Sequence, residues 1–257
     1  MKKIGLILVI IAAMGIALLP KGVAKAATTI TTCDQLQDMN LNLAEDYVLG
    51  SDIDCSATSG WNAGAGFDPV GDSGARFTGT LNGQGHKIID LFIDRPSTNS
   101  IGLFGYVQNA SVQNVTFQGA SITGQYRVGT VAGVAESINL QNISSNVYVT
   151  STDNTDFNGA YVGGILGYNN TNDSFATTLT NVHFTGIVVA ADDSWSAGGL
   201  IGENGGNATI TNSSNTGSVS GGDSTDYVGG LVGETWGATL NIINSFNSGN
   251  VSAKGNA

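Results

Sequence analysis

A short phrase of hydrophobic residues and glycines returns five times in this chain and constrains its fold more than any other feature. Its copies are Ile101-Gly-Leu-Phe-Gly105, Gly129-Thr-Val-Ala-Gly133, Val162-Gly-Gly-Ile-Leu-Gly167, Ala197-Gly-Gly-Leu-Ile-Gly202 and Val228-Gly-Gly-Leu-Val-Gly233. Their last glycines are 28, 34, 35 and 31 residues apart, a spacing typical of repeat architectures. One such unit is too small to bury a core of its own, so neighbouring units must stack to be stable.

A second phrase, an apolar residue followed two positions later by asparagine, recurs once in each unit. The asparagines are Asn114, Asn142, Asn181, Asn212 and Asn244. The chain has 37 glycines and only 11% charged residues, and its many β-branched residues favour strands over helices. We therefore predict an all-β fold, a right-handed parallel β-helix (β-solenoid), in which the asparagine amides form a hydrogen-bonded ladder.

The glycines of the repeated phrase are predicted to be structural. We expect them at the corners of the coils, where a residue without Cβ can adopt positive φ and lets adjacent coils approach closely. These glycines are Gly102, Gly105, Gly129, Gly133, Gly164, Gly167, Gly199, Gly202, Gly230 and Gly233. No P-loop lysine accompanies them, so a phosphate-binding loop is not indicated.

The chain divides into three segments by sequence pattern. Residues 1–26 have the basic start, apolar run and small-residue end of a secretory signal peptide, and a retained, uncleaved anchor is the alternative. Residues 27–97 are interpreted as an N-terminal capping module with the first coils, in which residues 33–44 have helical spacing with Asp34 as cap, and Asn82-Gly83 marks a tight turn between two strands. Residues 98–257 form the repeat solenoid.

The two cysteines, Cys33 and Cys55, both lie near the predicted mature N-terminus. In an exported chain a disulfide between them is expected, and two reduced thiols are the alternative. No other metal-ligating residues cluster with them, so we predict no metal site and no cofactor.

Removal of the signal peptide deletes four lysines and no acidic residue, which changes the formal net charge from −11 to −15. An acidic surface of this kind repels phosphate groups, so nucleic acid and anionic membranes are poor candidate partners. No later apolar stretch reaches the roughly 20 residues that a membrane-spanning helix needs. Membrane insertion after signal cleavage is therefore not expected.

The repeated phrase resembles the GLUG-motif repeat proteins of bacterial surfaces, named for a Gly-Leu-small/apolar-Gly core. The best matches are Gly102-Leu-Phe-Gly105, Gly199-Leu-Ile-Gly202 and Gly230-Leu-Val-Gly233, whereas one copy has Thr130 in place of the first glycine. The resemblance implies a secreted or cell-surface β-solenoid, often within adhesin-like proteins and sometimes beside a zinc peptidase. The two histidines, His86 and His183, do not form the HExxH pattern of such a peptidase.

An aromatic residue precedes four copies of the glycine phrase, at Tyr126, Tyr161, Trp195 and Tyr227. On stacked coils these side chains would form a column along one edge. Such a column could bind sugar rings or another apolar surface, or its rings could simply pack on one another.

Acidic residues offer a different hypothesis. Glu203 and Glu234 each follow the last glycine of a repeat and would lie on adjacent rungs about 5 Å apart, near the carboxylate separation of a retaining glycosidase. Acidic pairs elsewhere, such as Asp192 and Asp193, lack a calcium-loop pattern and are interpreted as solvated turn residues.

The leading functional hypothesis is an exported, non-enzymatic module in surface adhesion or matrix assembly, whose candidate partners are glycans, a host or matrix surface, or further repeats of the same protein. One alternative is a carbohydrate-active β-helix enzyme using Glu203 and Glu234. Another is a structural spacer for a further domain. Because Ala257 falls within the strand phrase of a sixth unit, we expect the natural chain to be longer or a partner to cover this edge.

Overall fold

The chain folds into a parallel β-solenoid of about six turns, described here from a computed structural model over residues 26–153, 159–170 and 176–254. This confirms the predicted fold class. The predicted signal peptide falls almost entirely outside the described residues, as do the last three residues of the chain. Among the described residues, no helix has the length and apolar character required to cross a membrane.

The N-terminal part combines short strands with a single α-helix in its described residues. Its strands are β1 (Thr28–Ile30), β2 (Asp46–Leu49), β3 (Ile53–Asp54), β4 (Thr80–Asn82), β5 (Lys87–Ile89) and β6 (Phe92–Arg95). Its helices are α1 (Cys33–Gln37) and the 3-10 segments Asp38–Leu41, Ser56–Gly60 and Asn62–Gly64.

The repeat part consists of strands connected by tight corners. They are β7 (Ser100–Ile101), β8 (Phe104–Gly124), β9 (Arg127–Val128), β10 (Ala132–Ser151), β11 (Tyr161–Gly163), β12 (Leu166–Asn169), β13 (Thr177–Phe184), β14 (Ile187–Val189), β15 (Ser196–Gly198), β16 (Ile201–Asn204), β17 (Ala208–Thr211), β18 (Ser214–Asn215), β19 (Ser218–Asp223), β20 (Tyr227–Gly229), β21 (Val232–Thr235), β22 (Leu240–Ile243), β23 (Phe246–Asn247) and β24 (Val251–Lys254). A small five-stranded sheet (β7, β9, β11, β15, β20) forms one side, and a nineteen-stranded sheet forms the rest.

The core is built from columns of equivalent apolar residues on successive coils. Val112 pairs with Leu140, Leu140 with Leu179, and Leu179 in turn with Ile210. These four side chains are completely buried. The apolar residue of the second repeated phrase therefore stacks on its own copy in the next coil, as the spacing predicted.

Three of the five asparagines of that phrase form the predicted ladder, which begins at Asn82. The side-chain amide of Asn114 donates to Asn82 (3.1 Å), that of Asn142 to Asn114 (2.8 Å), and that of Asn181 to Asn142 (3.0 Å). The three donors have φ values of 54° or 55°, and Asn212 and Asn244 have φ values of 51° and 48°. Asparagine tolerates this left-handed conformation better than most residues, so it turns the corner as well as linking the coils.

The repeat glycines act through close approach alone. A Cβ on Gly202 would lie 2.6 Å from the carbonyl oxygen of Gly167, and one on Gly233 would lie 2.6 Å from that of Gly202. The expectation of positive φ at these glycines is wrong, because none of the ten has it. Left-handed corners are supplied instead by the asparagines and by other glycines such as Gly119.

Two local predictions in the N-terminal part need correction. Thr32, rather than Asp34, caps the first helix, since its side chain accepts the hydrogen bond from the backbone N–H of Gln35. Asn82-Gly83 does not connect a β-hairpin, because β4 and β5 both pair in parallel with β8 of the next coil. The turn is a solenoid corner.

The disulfide prediction is confirmed. Cys33 and Cys55 are bonded, with their Cα atoms 5.3 Å apart, and both are buried. The bond ties α1 to the segment after β3. The solenoid is continuous across residues 96–98, because β6, which precedes them, pairs in parallel with β8, which follows them.

Candidate functional site

An open groove lies along one edge of the solenoid, on the later coils, and is called the aromatic groove below. Five aromatic side chains line it, from Tyr161, Tyr168, Trp195, Tyr227 and Trp236. Three acidic side chains, of Glu203, Asp226 and Glu234, complete its lining. Its volume is about 430 Å³.

The parallel register of the strands brings these residues together. Tyr168 in β12 pairs with Glu203 in β16, which pairs with Glu234 in β21. On the neighbouring sheet Tyr161 is in register with Ser196 and Tyr227, and Trp195 precedes that row by one position. The groove is thus bounded by two columns of equivalent positions on either side of the glycine phrase.

The predicted aromatic column is continuous over its first three members. The ring centroids of Tyr126 and Tyr161 are 5.0 Å apart, and those of Tyr161 and Trp195 are 5.6 Å apart. Tyr126 is half-buried, and exposure then rises from 5% for Tyr161 to 38% for Trp195 and 50% for Tyr227. The inner rings therefore pack on one another, while the outer two present their surfaces to solvent.

Arg127 lies beside the tyrosine rings at the inner end of the groove. Its guanidinium carbon lies 4.4 Å from the ring centroid of Tyr126 and 5.3 Å from that of Tyr168, distances typical of cation–π contacts. Tyr126 is half-buried beneath this side chain and lies outside the groove lining. The structure thus brings three of the four predicted aromatic residues into the groove.

Glu203 is the most deeply buried acid of the site, with 5% of its surface exposed. Burial and, to a smaller extent, the nearby charge of Glu234 raise the pKa of Glu203 to about 7, against the opposing effects of a hydrogen bond from Tyr161 and the charge of Arg127. Its Oε2 atom is buried and has no hydrogen-bond partner among the described residues. An acceptor in this state favours a proton or a donor from outside the chain.

The other titratable groups of the groove respond to the same environment. Burial, followed by the charge of Asp226, raises the pKa of Glu234. Burial also raises the pKa values of the Tyr161 and Tyr168 hydroxyls, with the charge of Glu203 contributing to both. The tyrosines therefore remain neutral donors at physiological pH.

A buried amide network fixes the strand that carries Glu203. Asn204, the next residue, is fully buried, and its Oδ1 accepts a hydrogen bond from Asn169 in the preceding coil (2.7 Å). Asn169 in turn accepts one from the hydroxyl of Thr177 (2.6 Å). Because successive side chains of a strand point to opposite sides, anchoring Asn204 inside the solenoid holds Glu203 in the groove.

Three other hollows of the described surface hold at most one aromatic side chain each. A larger hollow of about 660 Å³ lies against β8, β10 and β13, but its lining residues, which include Asn109, Ser137 and Thr178, carry no titratable side chain. No group of three or more His, Cys, Asp or Glu residues in the described ranges is arranged to hold a metal ion. The aromatic groove is therefore the candidate functional site.

Several residues at or beside the groove were not predicted from the sequence to belong to a functional site. Tyr168 occupies the same aligned position as Glu203 and Glu234, so the repeat alignment contained the signal for it. Trp236 and Asp226 lie just outside the aligned phrases, and only the fold brings them to the groove. Arg127 is adjacent to the predicted Tyr126, but its stacking depends on the neighbouring coil.

Fold and site together define a repeat protein with a parallel β-solenoid and an acidic, aromatic edge. The family model of the GLUG motif matches residues 193–220, so the chain carries this motif, as the resemblance predicted. The match spans Trp195, the glycine phrase that ends at Gly202, and Glu203. Two of the eight groove-lining residues, Trp195 and Glu203, therefore lie in this one motif copy.

Known proteins with detectable similarity share parts of the chain. Halomucin of Haloquadratum walsbyi is 38% identical over 153 residues, which are 57% of this chain and 2% of halomucin. A protein of Evansella cellulosilytica named "Putative Gly-rich membrane protein" is 39% identical over 97 residues, or 37% of this chain and 11% of that protein. The chain thus spans a small fraction of the length of these relatives.

One solved structure shares the fold over most of the chain. The crystal structure of a "putative immunoglobulin A1 protease" from Bacteroides ovatus superposes with a TM-score of 0.70, covering 90% of this chain and 69% of that one. The sequence identity is 22%, so the likeness concerns the fold alone.

Proposed function

We propose that the protein is an exported, non-enzymatic β-solenoid module that acts in surface adhesion or matrix assembly by binding glycans in its aromatic groove. The observation that carries this proposal is the exposure of aromatic surface beside hydrogen-bonding groups. Trp195 is 38% exposed and Trp236 is 72% exposed, next to the carboxyl groups of Glu203 and Glu234. A sugar ring has the complementary character, with an apolar face for the rings and hydroxyls for the carboxylates.

The comparisons support the proposed location. Halomucin and a protein named as a membrane protein are both relatives of this chain, which favours a surface or extracellular protein. The disulfide between Cys33 and Cys55 supports export as well, since such bonds persist mainly in oxidising compartments.

Glycan arrays with the purified protein, followed by calorimetric titration of the hits, test this function. Trp195→Ala and Trp236→Ala should each weaken binding by about tenfold, since exposed tryptophans dominate the energetics of such sites. Tyr148→Ala is the matched control, because Tyr148 is 42% exposed in β10 but lies outside the groove. The absence of binding across broad panels of neutral, acidic and basic glycans would refute the proposal.

A carbohydrate-active enzyme is the second candidate function. Glu203 and Glu234 favour it, because adjacent rungs about 4.8 Å apart place the two carboxyl groups near the separation of about 5 Å found in retaining glycosidases. With its pKa near 7, Glu203 would be the general acid, and Glu234 would be the nucleophile.

Reducing-end assays on acidic and neutral polysaccharides distinguish the two candidates. If the enzyme hypothesis holds, the parent protein releases reducing ends, and both Glu203→Gln and Glu234→Gln abolish the release. If the parent protein releases none, the enzyme hypothesis fails while the binding function stands.

A further inference from the structure

We propose that the aromatic groove selects a protonated amino sugar, with Glu203 and Glu234 binding the ammonium group while Trp195 and Trp236 stack on the sugar rings. This inference rests on the proposed glycan-binding function and specifies the chemical class of the glycan. Three features support it: the charge of the groove, its unsatisfied acceptor and a cation that the chain itself places beside the groove.

The groove carries an excess of negative charge that neighbouring side chains do not neutralise. Three carboxyl groups line it, from Glu203, Asp226 and Glu234, and the one cation stacked at its inner end is Arg127. Among the described salt bridges, none involves any of these three acids. A cationic ligand would therefore relieve the repulsion between Glu203 and Glu234 that the fold imposes.

One oxygen of the buried Glu203 carboxyl group also lacks a donor, although the Tyr161 hydroxyl hydrogen-bonds to this carboxyl group. Its Oε2 atom has no hydrogen-bond partner among the described residues, although only 5% of the residue is exposed. An ammonium group has three N–H donors and can satisfy Glu203 and Glu234 together. A hydroxyl has one donor and brings no charge, so a neutral sugar would compensate this site less well.

Arg127 shows that the walls of the groove accept a cation. Its guanidinium carbon lies 5.3 Å from the ring centroid of Tyr168, which lines the groove, and 4.4 Å from that of the adjacent Tyr126. In the described parts of the chain, the outer rings Trp195, Tyr227 and Trp236 have no cation over them, although they stand beside the acids. The outer groove therefore offers the same kind of aromatic surface for a cation, but the described residues supply no cation there.

The shape of the groove favours a polymer of sugar units over a small amine or a metal ion. Equivalent positions on three successive coils, at Tyr161, Ser196 and Tyr227, extend the edge over roughly 10 Å at about 4.8 Å per rung. The described acids are not arranged as a metal-binding cluster. An extended chain of rings with a positively charged substituent matches both the length and the aromatic walls.

Titration of the purified protein with three oligosaccharides of matched length tests the inference. The probes are a glucosamine oligomer, its N-acetylated counterpart and a cello-oligomer, followed by tryptophan fluorescence and calorimetry. We expect the glucosamine oligomer to bind at least tenfold more tightly than the other two. Because its affinity depends on charge, we also expect it to weaken as salt is added.

Charge-removing variants locate the effect in the groove. Glu234→Gln should weaken binding of the glucosamine oligomer about tenfold, equivalent to about 1.4 kcal/mol, and should weaken binding of the neutral oligomers by a smaller factor, since the amide oxygen still accepts a hydrogen bond from a sugar hydroxyl. Glu203→Gln should do the same and serves as an independent variant. Asp90→Asn is the matched control, since Asp90 is an exposed acid on a different corner of an earlier coil and should leave all three affinities unchanged.

The possible failures are distinguishable. Equal binding of the glucosamine and N-acetylglucosamine oligomers would overturn the amino-sugar inference and leave the proposed glycan-binding function in place. No binding of any of the three oligomers, together with negative glycan arrays, would remove both. An oligolysine peptide that binds as tightly as the glucosamine oligomer would overturn the assignment to a sugar, because charge alone would then account for binding.

Discussion

The buried carboxyl group of Glu203 should make the folding stability of this protein depend on pH, and Glu203→Gln should remove that dependence. The pKa of Glu203 is raised from 4.5 to about 7 in the folded state. The folded state therefore holds this proton more tightly than the unfolded state does. Its stabilising contribution is complete below about pH 4.5 and is lost as the pH rises through 7.

The size of the effect follows from the pKa shift. A rise from 4.5 to about 7 corresponds to about 3 kcal/mol, at about 1.4 kcal/mol for each tenfold change in proton affinity. Water at the mouth of the groove screens part of this penalty, which leaves about 1–2 kcal/mol. Glu203→Gln should accordingly raise the free energy of unfolding by about 1–2 kcal/mol at pH 8 and leave it unchanged at pH 4.

Urea unfolding of the parent and the variant between pH 4 and pH 8, followed by circular dichroism, measures this difference. Asp90→Asn removes an exposed carboxylate of the same chain and should show no comparable pH-dependent gain. Parallel pH profiles for parent and Glu203→Gln would refute the reasoning. So would a loss of stability at pH 8, because Arg127 and Tyr161 would then stabilise the ionised form more than burial disfavours it.

Three further predictions concern the scaffold. Gly202→Ala should lower the free energy of unfolding by about 1–3 kcal/mol, since its Cβ would meet the backbone of the preceding coil, whereas Gly60→Ala, with open space around it, should change it by less than about 0.5 kcal/mol. Asn142→Ala should lower the free energy of unfolding by about 1–2 kcal/mol. Asn142→Gly should lower it less, because glycine adopts the left-handed corner readily and loses only the ladder hydrogen bonds. Equal losses of stability for the two variants would mean that the corner conformation contributes nothing. Reduction of the bond between Cys33 and Cys55 should lower the free energy of unfolding by about 3 kcal/mol, and unchanged urea midpoints with and without reductant would contradict this.

The repeat pattern predicted which residues occupy equivalent positions in successive coils. Parallel stacking brings residues at equivalent positions into contact. Alignment of the phrases was therefore enough to predict the column from Val112 to Ile210, the asparagine ladder and the pairing of Glu203 with Glu234. It was not enough to predict backbone conformation. Glycine and asparagine can both form a left-handed corner, and only the structure shows that Asn142 does so while Gly133 does not.

The site was less predictable because its properties depend on neighbours outside the aligned phrases. The burial of Glu203 results from residues of several coils and of two sheets, including Tyr161 and Tyr168. Trp236 follows the aligned phrase by three residues, in a segment where the copies have no common sequence. The correction at Thr32 has a similar origin, since Thr32 and Asp34 are both able to cap a helix and only the backbone decides between them.

The register that pairs Glu203 with Glu234 also has an evolutionary consequence. Each coil contributes one residue to each column, so tandem duplication of a coil would lengthen the groove by one rung without disturbing the existing rungs. Point substitutions in a single copy would then change the chemistry of one rung alone, as Tyr168 and Glu203 already illustrate at equivalent positions. Ligand length and ligand chemistry could in this way be selected independently, the first by the number of coils and the second by their sequence.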